Sequence, residues 1–297
     1  MVERLLTPLL ETLRPHFDLI KTRLETLAVL LFGLANCRTV NLSRLASPFP
    51  GEAKHGPNYQ RLQRFFQHIR LDGDVAALVI MQMLNLRNRP NVLALDRTNW
   101  KIGKSDVNVL VLAVVTERYR VPLMWSFLNH SGNSTTRQRI ALMERYLARF
   151  KPSTVRMLLA DREFIGQAWF KFLKDKKIPF AIRVKEDQLI IVEGREYALR
   201  SYLSRCKGER GFTATLPAKA GQPALELHFG ARRIKGGELL IVACSEPLRG
   251  SRILRYYRWR WFIECMFSDA KTKGLNLEDT RMTLSDTLRV LIGELEN

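Results

Sequence analysis

The stretch Val92-Leu-Ala-Leu-Asp96 decides how the rest of this chain is read, because four apolar residues run without interruption into a carboxylate. An apolar run that does not alternate marks a strand buried on both faces. A second stretch repeats the pattern, Arg156-Met-Leu-Leu-Ala-Asp161. Between the two, residues 107–116 and 120–127 are equally rich in Val and Leu and read as neighbouring strands. Ser134 opens an amphipathic helix to about Phe150, with Ile140, Met143, Leu147 and Phe150 on its inner side. After Asp161, residues 166–177 read as helix and 180–184 as strand. Three strands, a helix, a strand, a helix and a strand make an α/β domain around a central mixed sheet.

Outward from this centre the texture changes on both sides. Residues 1–89 read as an all-helical unit, with Leu5, Leu9, Leu10 and Leu13 at helical spacing and Leu19, Leu24, Leu27, Leu30 and Leu31 after them. A Pro/Gly-rich loop, 47–57, interrupts the pattern. Beyond it Leu62, Phe65, Phe66 and Ile69 form one apolar stripe that leaves Arg61, Arg64 and His68 outward. Helix, turn and basic helix suit docking on DNA, with Arg61 and Arg64 as candidate contacts; a helical bundle with a solvated basic face is the plainer alternative. On the other side, residues 185–237 carry short strand-like runs (188–192, 211–216, 224–229) between Gly, Pro and Lys turns, and read as a β-rich insertion. Residues 238–245 return to an apolar strand, residues 250–273 to one long basic helix, and an amphipathic helix begins near Ser285.

The charge balance restricts the partner. Lys and Arg number 48 against 29 acidic residues, a formal +19, and the pI is about 10.2. Such an excess suits a polyanion, whose condensed counterions are released on binding. Cys37, Cys206, Cys244 and Cys265 lack metal-site spacing and read as buried thiols in a reducing compartment. The histidines are scattered, so zinc is not indicated. The longest apolar stretch, 27–35, is too short to span a bilayer, and nothing resembles a signal peptide. The expectation is a cytoplasmic protein with DNA as partner and no membrane.

The chemistry comes from three regions. Asp96 and Asp161 each stand at the carboxyl end of a buried strand, where ligands of α/β sheets gather. One such residue is usually a cap, and two are only suggestive. In the basic helix, Tyr257, Arg260, Glu264 and Lys271 fall within roughly a 60° arc at about 100° per residue. Trp259, Ile263, Met266, Phe267 and Ala270 make a neighbouring apolar face that can pack on the sheet. A surface ion-pair stripe is the competing reading of that arc. Glu163, two residues after Asp161, competes with Glu264 for the role of third carboxylate, and Asp269 lies at a different angle.

The spacing Tyr257-x2-Arg260-x3-Glu264-x6-Lys271 resembles the signature helix of DDE transposases of the insertion-sequence-4 group. The segments 93–98 and 160–164 are similar to that group's two aspartate strands, and 132–134 and 274–280 also have its character. The resemblance covers about residues 90–285. It implies a ribonuclease-H-like catalytic domain, 90–297, interrupted by a β insertion, with the helical unit 1–89 as DNA-binding domain. It further implies that Asp96, Asp161 and Glu264 are catalytic and hold two Mg²⁺ or Mn²⁺ ions, hard cations suited to carboxylates. Tyr257, Arg260 and Lys271 would hold DNA phosphates. The implied reaction is cut-and-paste transposition: nicking at the terminal inverted repeats and strand transfer into target DNA, within a homodimeric synaptic complex. Members of the group continue through further C-terminal helices, whereas this sequence stops at Asn297. A nuclease of the same fold without strand transfer, and a non-catalytic DNA-binding derivative, remain alternatives.

Overall fold

The computed structural model describes residues 2–47, 49, 55–102, 105–219 and 221–273. The helix expected from Ser285, the segment 274–280 and much of the loop 47–57 lie outside these residues.

Helices come first: α1 Val2–Leu13, α2 Lys21–Cys37, α3 Leu42–Leu45, α4 His55–His68 and α5 Gly73–Met83. The stripe Leu62, Phe65, Phe66 and Ile69 is buried against Leu24, Leu27 and Leu30 of α2. Leu31, read with that pattern, is exposed. Two small caps hold this region: Asn41 accepts from the N–H groups of Ser43 and Arg44, and Asp72 from that of Asp74. Helix α5 packs in two directions. Its Val79 joins the N-terminal core, while Ala77 and Met81 join the core beneath the sheet. Asp74 accepts a 2.7 Å ion-paired hydrogen bond from Arg145, which anchors α5 on the sheet side.

Strands β1 Asn91–Ile102, β2 Ser105–Val115 and β3 Arg120–Phe127 form an antiparallel meander. Then come α6 Thr136–Arg149, β4 Val155–Ala160, α7 Gln167–Asp175 and β5 Phe180–Arg183. Thr135 and Gln138 close a reciprocal capping box at the start of α6, an arrangement worth about 1 kcal/mol. Ahead of it Gly132 takes a φ of +93°, a backbone region that side chains disfavour. Strands β4 and β5 run parallel to β1 in the order β1-β4-β5.

The stretch read as an insertion supplies β6 Leu189–Val192, β7 Arg195–Ala198, the short helix α8 Leu199–Tyr202, β8 Arg210–Leu216 and β9 Leu225–Arg233. These strands do not form a separate layer. Through β10 Leu239–Cys244, which pairs with both β5 and β9, they extend one ten-stranded mixed sheet, β3-β2-β1-β4-β5-β10-β9-β8-β6-β7. Strand periodicity sorts its two faces. Leu93, Leu95, Leu158 and Ala160 meet α6 and α7 on one side. Val92, Ala94, Met157 and Leu159 meet the C-terminal helices on the other.

The long basic helix is not continuous. It is α9 Gly250–Arg258 and α10 Trp261–Ser268, followed by a π-helical turn, Asp269–Lys273. Around the break, the N–H groups of Trp259, Arg260, Phe262 and Ile263 bond three residues back rather than four. The cause is packing. In an unbroken helix Ile263 and Met266 would lie roughly 120° and 180° round from Tyr257 at about 100° per residue. All three are buried on the sheet, so the chain tightens between them. Helix α9 is seated unusually close. A Cβ on Gly230 would come within 2.7 Å of the Gly250 carbonyl oxygen, and one on Gly211 within 2.7 Å of the Gly250 nitrogen.

Among the described residues, no helix is long and apolar enough to cross a membrane. Of the four cysteines read as buried, Cys206 and Cys244 are; Cys37 is exposed and Cys265 intermediate.

Candidate active site

Asp96 and Asp161 become neighbours through strand register. The β1–β4 pairing ends at Leu95 and Ala160, so the two aspartates follow side by side where adjacent strands lie about 4.8 Å apart. Both share the parity of Val92, Ala94, Met157 and Leu159, and therefore face the C-terminal helices. Past this point β1 continues beside β2 alone, leaving its other edge open.

Helices α9 and α10 close over these carboxylates. The Tyr257 hydroxyl donates to Asp161 Oδ1 at 3.1 Å. Arg260, at the junction of the helices, donates through Nη1 to Asp96 Oδ2 at 3.3 Å and through Nη2 to Glu264 Oε1. One guanidinium thus bridges Asp96 and Glu264. Its Nε is buried with no hydrogen-bond partner among the described residues. Asp96 Oδ1 also accepts the Arg97 backbone N–H at 2.8 Å.

Electrostatics reflect this crowding. Burial pushes the Asp96 pKa up to about 6; the Arg97 N–H and Arg260 oppose the rise, and the charges of Glu163 and Asp161 add to it. Tyr257 is raised, first by burial, so its hydroxyl stays protonated and is a donor at neutral pH. Burial lowers the Arg260 pKa, but Tyr257, Glu264 and Asp161 outweigh it and keep the cation charged.

The remaining residues named from sequence are placed as follows. Lys271 donates to the Asn99 carbonyl at 2.6 Å, with its ammonium 5.9 Å from the Trp100 ring centroid, a few residues along β1 from Asp96. Glu163 is not on a strand. It sits in a 3-10 turn, Arg162–Phe164, and its carboxylate pairs with Arg97 at 3.5 Å. Asp269 is largely exposed, 3.9 Å from Arg120. In the N-terminal helices Arg61 fastens α4 to α2, donating to Thr26 Oγ1 at 2.7 Å and to the Thr22 carbonyl at 3.0 Å. Arg64 is exposed and lines a cavity of about 500 Å³ between those helices.

Sequence reasoning missed the frame that holds the aspartate strands. Arg97 also donates to Asn108 Oδ1 at 3.1 Å, and the Asn108 amide donates to the carbonyls of His130 and Gly132 at 2.8 and 3.0 Å. Arg139, buried in α6, donates to the carbonyls of Ser134 at 2.6 Å and Glu163 at 2.9 Å. Arg97 carried a signal, since it follows Asp96. Arg139 carried none, because in sequence it is one arginine of a charged helix.

The site's chemistry is that of hard oxygen donors. Asp96 and Asp161 share one face of the sheet and Glu264 approaches from α10 through the Arg260 guanidinium, a donor set that fits a divalent cation. In the conformation present, no three His, Cys, Asp or Glu side chains among the described residues are grouped closely enough to hold a metal. Arg260 stands between two of them instead.

Residues 87–293 match the family model described as "Transposase DDE domain". The chain belongs to this family. No curated protein matches this DDE-domain chain significantly. Among solved structures it is similar to a piggyBac transposase synaptic complex with hairpin DNA determined by cryo-electron microscopy, with a TM-score of 0.50 and 11% identity. That likeness covers 93% of this chain and 64% of the other, so this chain spans less than two thirds of the piggyBac protein's length. It supports a shared fold for the DDE-domain chain. An endonuclease V from Bacillus subtilis (10% identity; 69% of this chain, 82% of the other; TM-score 0.28) is a much weaker match and carries no argument.

Proposed function

We propose that this chain is a DNA transposase of the insertion-sequence-4 group, nicking transposon ends and joining them to target DNA by cut-and-paste. The observation that carries this reading is the bridge of Arg260 and Tyr257, which ties Glu264 to two aspartates standing where the pairing of parallel strands β1 and β4 ends. The strand order β3-β2-β1-β4-β5 supports a ribonuclease-H-like domain within 90–297, with the stretch 185–237 inserted; in this reading residues 1–89 dock on DNA.

Asp96, Asp161 and Glu264 would hold two Mg²⁺ or Mn²⁺ ions. Such a pair, when bound, activates the attacking oxygen and stabilises the leaving one in an in-line phosphoryl transfer. Within the chain, Tyr257 orients the Asp161 carboxylate through its hydrogen bond. Arg260 balances the carboxylates' charge and, once cations replaced it between Asp96 and Glu264, would present a planar fork suited to a phosphate. Lys271 adds positive charge along the open edge of β1. The partners in this reading are the terminal inverted repeats and target DNA, the assembly is a homodimer, and the compartment is the cytoplasm.

The test is an assay with DNA carrying the inverted repeats that flank the gene, run with Mg²⁺, with Mn²⁺ and with neither. Metal-dependent nicking followed by joining is expected, with both lost in Asp161→Asn and Glu264→Gln. Cleavage that never leads to joining would move the reading to a nuclease. DNA binding without cleavage under any metal would move it to a non-catalytic DNA-binding derivative.

A further inference from the structure

A cavity of about 460 Å³ lies beside the start of β1, at the other end from Asp96 of the stretch that pairs with β4. Its size is that of small-ligand sites, roughly 300–1,000 Å³. Arg156, Arg252 and Arg255 line it together with Tyr256, Trp259 and Asn91. Residues 252, 255, 256 and 259 follow helical i, i+3, i+4, i+7 spacing, so α9 and its C-terminal cap Trp259 present them on one face. The Tyr256 and Trp259 rings stand edge to face, 6.3 Å between centroids at 73°, and make an aromatic corner. Arg156 donates to the Tyr256 hydroxyl at 3.2 Å, which fixes that corner to the sheet.

The charge here is one-sided. No carboxylate lines the cavity, and neither Arg252 nor Arg255 makes an ion pair or a side-chain hydrogen bond among the described residues. Both are exposed. Three guanidiniums around one concavity repel one another, and an anion is the ligand that relieves this. Guanidinium forks match phosphate oxygens, and an aromatic corner offers a face to a sugar or base. Together they describe a site for one nucleotide unit of a strand.

We propose that this cavity is a second DNA-binding site, holding the phosphodiester backbone of the strand whose more distant phosphate reaches the carboxylates. Asn91 and Asp96 are five residues apart on β1, about 17 Å at a rise of about 3.3 Å per residue. Phosphates of one strand advance about 3.4 Å along a duplex axis per step and further along the backbone itself, so the strand that spans the two places is only a few nucleotides long. The inference rests on the proposed DNA-directed function and adds a location that the catalytic residues do not include.

The test is fluorescence anisotropy of a labelled 30-base-pair duplex with the whole metal-free chain across a salt series. Arg252→Ala/Arg255→Ala is expected to weaken binding roughly tenfold and to make the plot of log affinity against log salt shallower by about 1–2. The double lysine variant retains most of that slope, because charge rather than side-chain volume is responsible. An alanine variant that binds like wild type overturns the inference and leaves the transposase reading intact. A lysine variant that loses as much as the alanine variant also overturns it, by showing a structural effect. Displacement of the duplex by millimolar adenosine monophosphate or inorganic phosphate would reassign the cavity to a free phosphate ligand. A wild-type chain that binds no duplex sinks both readings together.

Discussion

Strand β1 is built differently at the two ends of the stretch it shares with β4, around Asn91 and Asp96. At Asp96 the strand meets two other carboxylate-bearing elements, and their acids are drawn onto one guanidinium and one phenol. At Asn91 it meets three arginines, with no carboxylate in the cavity they share. One end concentrates negative charge around an internal cation; the other leaves positive charge unanswered. Between them lies an apolar layer formed by Val92, Ala94, Met157 and Leu159 under Ile253 and Leu254. The contrast shows that a net charge of +19 is not spread evenly over this fold.

The largest expected effect comes from breaking the acidic end. Asp96→Asn should lower DNA cleavage roughly a thousandfold, about 4 kcal/mol of barrier, measured as single-turnover rates. It should not weaken the fold. With a pKa raised from 3.8 to about 6, the folded metal-free chain binds this proton more tightly than the unfolded chain does. Stability therefore falls as pH rises through that window, and the neutral amide should leave the melting temperature at pH 7.5 unchanged or higher. A fall of several degrees would show that the carboxylate is structural.

Next in size is a change that strikes both ends at once. Gly230→Ala forces a methyl group against the Gly250 carbonyl and lifts the start of α9. Overpacking of this kind costs about 1–3 kcal/mol, to be read from urea midpoints. Because α9 carries Tyr257 and Arg255 alike, cleavage and metal-free DNA binding should fall together. If only one falls, the two ends do not depend on a common helix seat.

Two smaller effects sharpen the comparison. Tyr257→Phe removes one hydrogen bond to Asp161 and should cost about 1 kcal/mol of stability, with duplex affinity in metal-free buffer unchanged. A loss of affinity there would mean that the acidic end also contacts DNA without metal. The smallest effect probes the layer between. Burial pushes the Cys244 thiol up to about 12 from an ordinary 9, against the opposing N–H of Glu246. The folded chain thus keeps a proton that the unfolded chain loses. Stability should be insensitive to this group below pH 9 and should decline from pH 9 towards 12. A thiol reagent at pH 8 should label exposed Cys37 at once and Cys244 only on unfolding. Rapid labelling of Cys244 would mean that water reaches the layer separating the ends.

Much of the architecture was legible in order of residues. Apolar runs without alternation marked β1 and β4, Ser134 announced α6 to within two residues, and the stripe at Leu62 found the core of α4. Within the site, the aspartates were only suggestive, since one after such a run is usually a cap, and Tyr257, Arg260 and Glu264 stood out because their spacing puts them on one helical face. What stayed hidden was hidden for physical reasons. The run Arg195–Ala198 is half polar and only four residues long, too short to show a period. The break at Trp259 has no Pro or Gly to announce it; it arises because α9 lies on β8 and β9 while α10 lies on β1 to β3. Arg139 looked like any helix-surface arginine until four carbonyl and hydroxyl oxygens surrounded it.

By itself the sequence determined most of the strand and helix segments, that Asp96 and Asp161 each follow a buried apolar run, and an excess of positive charge suited to a polyanion. These follow from periodicity and charge, properties that need no neighbour to be defined. Only the tertiary structure decided that Asp96 and Asp161 stand side by side, that one arginine bridges Asp96 to Glu264, and that the strands from 189 onward prolong the same sheet. Each of those depends on pairing between residues far apart along the chain, where register and packing, rather than local pattern, set the outcome.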